Sequence, residues 1–168
     1  MLDILTGKKW IFGIFSLTDD MSLNLKTIKT KDATTLANVF HKKGTLKGVG
    51  TFFSENGESI RIRIVDEKSG TVLHEQTAEE QIKGYYVIPL DKEVKVSDYR
   101  IEITYAAGAP VEGEKWSDGH IRYSPKSRKG QSFVKLGKKW YDLADKGTKK
   151  RLGLDYTPNN ACIKALYS

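Results

Sequence analysis

The stretch "SIRIRIVDEKSGTVLHEQ", Ser59 to Gln76, decides the fold class. Ile60, Ile62 and Ile64 alternate with Arg61 and Arg63, and side chains two residues apart lie on one face of a strand. One face is apolar and the other charged, which is the pattern of a half-buried strand. "DEKSG" (66–70) then supplies turn chemistry, and "TVLHEQ" (71–76) returns as the second strand of a hairpin. The same rhythm continues on both sides. "DKEVKVSDYRIEITYA" (91–106) places Val94 and Val96 before a predicted turn at Ser97-Asp98, then Ile101 and Ile103 on the face opposite Glu102 and Thr104. "TTLANVFHKKGTLKGVGTFFSENGESIRI" (34–62) reads as a strand, a Lys-Gly turn, a glycine-rich strand and an Asn-Gly turn.

Further strands are predicted at Trp10–Ser16, Ser22–Ile28, Tyr85–Leu90, Ile121–Tyr123, Gln131–Lys135 and Ala161–Tyr167. No segment repeats apolar residues at helical spacing over three turns. "AEEQIKG" (78–84) and "WYDLADKGTKKR" (140–151) each have room for a single helical turn, and "YAAGAPVEGEKWSDG" (105–119) reads as a long surface loop. Many short strands with regular turn signals indicate an all-β fold, a two-sheet antiparallel sandwich or a barrel. With 168 residues, 39% hydrophobic and 29% charged, the chain reads as one globular domain over 1–168.

Charge is unevenly spread. Lys126 to Arg151 holds ten Lys or Arg against Asp142 and Asp145, +8 in 26 residues, while the whole chain carries +7. The remainder is therefore near neutral. A basic run favours acidic partners such as anionic glycans, phosphate-rich polymers or nucleic acid, but is more often a solvated surface than a site. The cations cluster at "KSRKG", "GKK" and "KGTKKR", which places Lys126, Arg128, Lys129, Lys138 and Lys139 on loop tips. Trp10 and Trp140 have apolar neighbours and read as core.

Catalytic chemistry finds little support. The lone cysteine, Cys162, excludes a disulfide framework and a cysteine zinc site, and lies mid-strand where a thiol is a small inert hydrophobe. His41, His74 and His120 lack metal-ligand spacing, and no phosphate-cradling glycine motif occurs. Calcium is the one cofactor with candidates: Asp19-Asp20, and Glu114 with Asp118, offer carboxylates, although none matches a dedicated calcium loop and turn formation is the commoner role of such residues. Sugar recognition wants an aromatic ring beside polar groups. "KWSDGHIRY" supplies Trp116, Asp118, His120, Arg122 and Tyr123, with His120 and Arg122 projecting outward if Ile121 faces the core; Trp116 alternatively caps the sandwich. The apolar run Trp10–Phe15 is too short for a signal peptide or a membrane span.

"LANVFHKKGTLKGVGTFF" (36–53), "GYYVIPLDKEVKV" (84–96), "DYRIEITY" (98–105), "QSFVKLGKKWYDL" (131–143) and "NACIKALY" (160–167) occur in that order. The set, over roughly Thr34 to Tyr167, resembles the lectin-like domain that follows the papain-type catalytic domain in clostridial surface cysteine peptidases. Its closing elements here are Ser132-Phe133, Trp140-Tyr141-Asp142-Leu143 and Cys162-Ile163-Lys164-Ala165, with "ADKGTKKRLGLDYTPN" (144–159) inserted between the last two. The resemblance implies a jelly-roll-like sandwich without catalytic activity. It implies an extracellular or cell-surface location beside a peptidase or other surface-protein domain, with cell-wall polysaccharide or another anionic polymer as partner. The alternatives from other classes are a stand-alone basic protein that binds nucleic acid and a small β-sandwich enzyme.

Overall fold

The computed structural model describes residues 25–28, 34–113, 115–117, 120–123, 127–154 and 158–168. In chain order the elements are β1 (Leu25–Ile28), β2 (Thr34–Phe53), β3 (Glu58–Asp66), β4 (Val72–Glu80), β5 (Gly84–Tyr105), β6 (Ala109–Gly113), β7 (Lys115–Ser117), β8 (His120–Tyr123), β9 (Ser132–Leu136), β10 (Lys139–Asp142), α1 (Lys146–Arg151), β11 (Pro158–Ala161) and β12 (Ile163–Tyr167). They form an antiparallel all-β sandwich. One sheet has three strands in the order β1-β6-β11; the other has seven, β10-β9-β2-β5-β3-β4, with β12 also paired to β2. β7 and β8 make a separate two-stranded ribbon. The predicted strand at Trp10–Ser16 lies outside the described residues, as does Trp10.

The isoleucine alternation builds the core. Ile60, Ile62 and Ile64 on β3 stand opposite Tyr105, Ile103 and Ile101 on β5, and all six are at most 1% exposed. Ile28, Ala109, Val111 and Ala161 of the smaller sheet pack into the same cluster. Buried tyrosines need a partner for the hydroxyl. Tyr105 Oη bonds Thr51 Oγ1 at 2.7 Å, and Tyr99 Oη bonds Tyr167 Oη. The hairpin of β3 and β4 matches its expectation. Asp66 Oδ1 accepts from Ser69 N and Oγ, both at 2.7 Å, and Gly70 reverses the chain at φ +72°.

Several local expectations give way to tertiary pairing. The expected turns at Lys43-Gly44 and Ser97-Asp98 do not occur. β2 and β5 run side by side from Thr34↔Tyr105 to Phe53↔Gly84. The turn-forming residues are absorbed as bulges, where the register steps from His41↔Asp98 to Gly44↔Val96 and from Leu46↔Val94 to Gly48↔Pro89. The segment read as a surface loop instead contains β6, the centre of the smaller sheet, with Ala109 to Glu112 buried. "AEEQIKG" ends β4 rather than making a helical turn, whereas α1 does form, capped by Asp145, whose Oδ1 accepts from Gly147 N at 3.0 Å. Trp140 is half-buried on β10, the outermost strand, and is not core.

Cys162 is also placed differently. The expected strand 161–167 breaks there. Ala161 ends β11 in the smaller sheet and Ile163 begins β12 in the larger one. Both sheets hold the crossing residue, since Cys162 N donates to Pro110 O at 3.2 Å and Cys162 O accepts from Thr51 Oγ1 at 2.7 Å.

Candidate functional site

Four of the five predicted loop-tip cations fall on one edge of the larger sheet; Lys126 lies outside the described residues. Arg128, Lys129, Lys138 and Lys139 are all exposed. They do not converge, because β9 separates Arg128 and Lys129 at one end from Lys138 and Lys139 at the other. That is about 17 Å at the usual rise of a strand. Asp142 organises the first end. Its two carboxylate oxygens accept from Gly130 N (2.6 Å) and Ala144 N (2.8 Å), and its carbonyl accepts from Thr148 Oγ1 (2.6 Å). One side chain thus ties the Arg128–Gly130 loop to the approach to α1, whose last turn adds Lys149, Lys150 and Arg151. The aromatic rings of this edge are already faced by cations: Lys135 Nζ lies 5.6 Å from the Trp140 ring centre and Arg151 Cζ 5.0 Å from that of Tyr141.

The predicted sugar-facing group lies elsewhere. Trp116, His120, Arg122 and Tyr123 are on β7 and β8, whose register sets Trp116 opposite Ile121 and Ser117 opposite His120. Asp118 lies outside the described residues, together with Asp19, Asp20 and Glu114 of the calcium expectation. Among the described residues no group of three or more His, Cys, Asp or Glu is placed to hold a metal. His41 pairs with Asp98 at 2.9 Å on the exposed surface, and buried His74 meets Gln76 at 2.8 Å and Asp91 at 3.2 Å.

Two charged clusters escape the sequence pattern. On the outer face of β3 and β5, Glu102 is 5% exposed between Arg100 (2.7 Å) and Arg63 (3.0 Å). Arg63 Nε is also 3.2 Å from Glu75, an ion contact without hydrogen-bond alignment. The second cluster lies where β11 crosses to β12. Glu112 on β6 is 1% exposed, and its two oxygens accept from Lys164 Nζ (2.8 Å) and Asn160 Nδ2 (3.0 Å). Asn160 Oδ1 is 2.6 Å from Ser132 Oγ, which also contacts Asn38 Oδ1 and accepts from Ala161 N at 3.0 Å. Asn38 Nδ2 donates to the carbonyls of Ala161 (3.1 Å) and Ile163 (3.0 Å), bridging the crossing on both sides. Burial, with Glu112 adding to it, pushes the Cys162 thiol up to about 12. Tyr85 leaves 38% of its surface exposed but lays its hydroxyl against Gly50, and burial of that end raises it to about 12, helped by Cys162 and Glu112. The available signal was Asn160, Cys162 and Lys164 at alternate positions of an otherwise apolar closing segment.

Comparison with known proteins fits this architecture. The family model described as a lectin-like domain matches residues 17–167. A crystal structure of the cysteine protease and lectin-like domains of Cwp84, a surface-layer-associated protein of Clostridium difficile, superposes with a TM-score of 0.59 at 17% identity over 84% of this chain. A structure of the same clostridial cysteine protease after propeptide cleavage gives a TM-score of 0.63 at 18% identity over 87% of the chain. Likeness at that identity is one of fold. The chain spans 35% and 37% of those two chains, and the protease domain lies outside the matched part. No curated protein matches by sequence.

Proposed function

Because the chain belongs to the lectin-like domain family, we propose that it is a non-catalytic module of a bacterial surface protein that contacts an anionic cell-wall polymer. In this reading it holds a neighbouring peptidase or other surface domain near its place of action. The observation that carries the polymer contact is the edge formed by β9, β10 and α1. Arg128, Lys129, Lys138 and Lys139 are exposed there, and a hydrogen-bond frame around Asp142 holds the Arg128–Gly130 loop at one end. Cations spaced along an edge suit a repeating polyanion better than a single small anion. The cations already facing Trp140 and Tyr141 weigh against base stacking, which single-strand nucleic-acid binders rely on.

The test is binding of the protein to purified cell-wall sacculi, with and without their teichoic-acid-type polymer, at two salt concentrations. A variant carrying Arg128→Gln, Lys129→Gln, Lys138→Gln and Lys139→Gln should stay folded, since exposed charges contribute about 0–1 kcal/mol each. It should bind several-fold more weakly and with a shallower salt dependence, because fewer counterions are released. Unchanged binding by that variant would remove the basic edge from the function. Tighter binding to single-stranded DNA than to wall polymer, lost in a folded Trp140→Ala protein, would put the nucleic-acid alternative first.

A further inference from the structure

We propose that Lys164 and Asn160 become joined by an intramolecular amide bond, formed between their side chains with Glu112 as the proton shuttle. This goes beyond the polymer-binding reading and does not depend on it. One carboxylate joins the two side chains that would react. Lys164 Nζ and Asn160 Nδ2 sit on the two oxygens of one carboxylate, at 2.8 Å and 3.0 Å. That carboxylate is 1% exposed, so a single buried group gathers both side chains at its two oxygens. A buried ion pair also needs hydrogen bonds for its remaining lone pairs; here the group that supplies one is a carboxamide, the electrophile a condensation requires. The remaining atom of that amide is also placed. Asn160 Oδ1 is 2.6 Å from the Ser132 hydroxyl, a donor for the oxygen on which charge builds during attack at a carbonyl carbon.

The atoms balance without a co-reactant. Glu112 takes a proton from Lys164 Nζ through Oε1, which frees the nitrogen lone pair. Nζ attacks Asn160 Cγ, and the Ser132 proton turns from Asn38 Oδ1 to the developing oxyanion. Glu112 delivers its proton through Oε2 to Nδ2, the Cγ–Nδ2 bond breaks, and the nitrogen leaves as ammonium with the second proton shed by Nζ. One N–C bond forms, one breaks, and nothing is oxidised or reduced. Fixing nucleophile and electrophile on one scaffold supplies the rate enhancement that a free amine and a free carboxamide lack. Lys164 keeps 31% of its side chain exposed, leaving the departing ammonium a path to solvent. The bond would lock the segment that crosses between the two sheets.

Mass spectrometry of the full chain decides the matter. The intact protein should weigh one ammonia less than its sequence. Trypsin should fail to cut after Lys164, leaving Leu152–Ser168 as one peptide lighter by the same amount. A peptide Leu152–Lys164 of full sequence mass from the folded protein would overturn the proposal. So would an ammonia loss that persists in Lys164→Arg, since that marks cyclisation of Asn160 onto its own backbone. Folded Glu112→Gln should show the full mass and the restored cut; a bond formed in it would overturn the shuttle role. Should Glu112→Gln fail to fold, Glu112→Asp, which keeps the charge but withdraws it by one methylene, should show a bond formed at least several-fold more slowly.

Discussion

At the scale of single residues, burial governs behaviour more than residue type. Cys162 has no exposed surface, and its thiol is pushed up to about 12 by that burial and by nearby Glu112. At pH 8 only about one thiol in ten thousand would be thiolate. Iodoacetamide should therefore leave the native protein unlabelled and label it once denaturant is added; rapid native labelling would contradict the placement. Tyr85, also raised to about 12, gives a pH dependence of known sign. Between about pH 10 and 12 the unfolded chain loses this proton while the folded one keeps it. Stability from this residue is thus complete below pH 10 and falls as pH rises. Cys162 acts with the same sign from about pH 9, so thermal melts should be level from pH 7 to 8 and fall above about 9, less steeply above 10 in Tyr85→Phe. Trp140 shows how sequence misleads at this scale. Its neighbours Tyr141 and Leu143 suggested core, but an edge strand leaves one side of its pairing open, and edge position cannot be read from local pattern. Trp140→Ala should then cost about 1–2 kcal/mol in a melt, below the 3–5 kcal/mol typical of a buried aromatic.

At the scale of elements, the hairpin of β3 and β4 was legible because alternation, turn chemistry and pairing partner all lie within 23 residues, Glu58 to Glu80. β2 and β5 were legible as strands but not as continuous ones. His41-Lys42-Lys43-Gly44 and Ser97-Asp98 carry turn residues, and only the distant partner shows that they bulge rather than reverse. β6 was missed because Ala, Pro and Gly give no alternation signal, while both of its neighbours lie far away in sequence. The candidate basic edge was found from charge alone; the frame that orders it was not, since Asp142 acts through bonds across 12 residues and across a turn. Asp142→Ala tests that frame. Amide exchange at Gly130 and Ala144 should quicken by at least about tenfold, as expected for the loss of a charged acceptor, while the melting temperature falls by only a few degrees. Uniform acceleration across all strands would show instead that Asp142 supports the whole sheet.

At the scale of the molecule, the strands nearest the C-terminus close both sheets. β11 pairs with β6 in the smaller sheet, and β12 pairs with β2 in the larger, joining Ile163 to Thr51. Between them Cys162 is tied to Pro110 and Thr51. Removing residues 158–168 should therefore abolish cooperative unfolding rather than merely lower its midpoint, as circular dichroism against temperature would show. A sharp transition in the shortened protein would mean that the two sheets are stable without their shared strands. The same connection sets a clock on biosynthesis. β1 to β10 leave the ribosome with the Leu46–Thr51 stretch of β2 unpaired on one flank and β6 lacking its second neighbour, so the domain stays open until β11 and β12 have emerged. A translation product that stops short carries unfilled strand edges, the feature by which quality-control proteases and aggregation pathways act on incomplete chains.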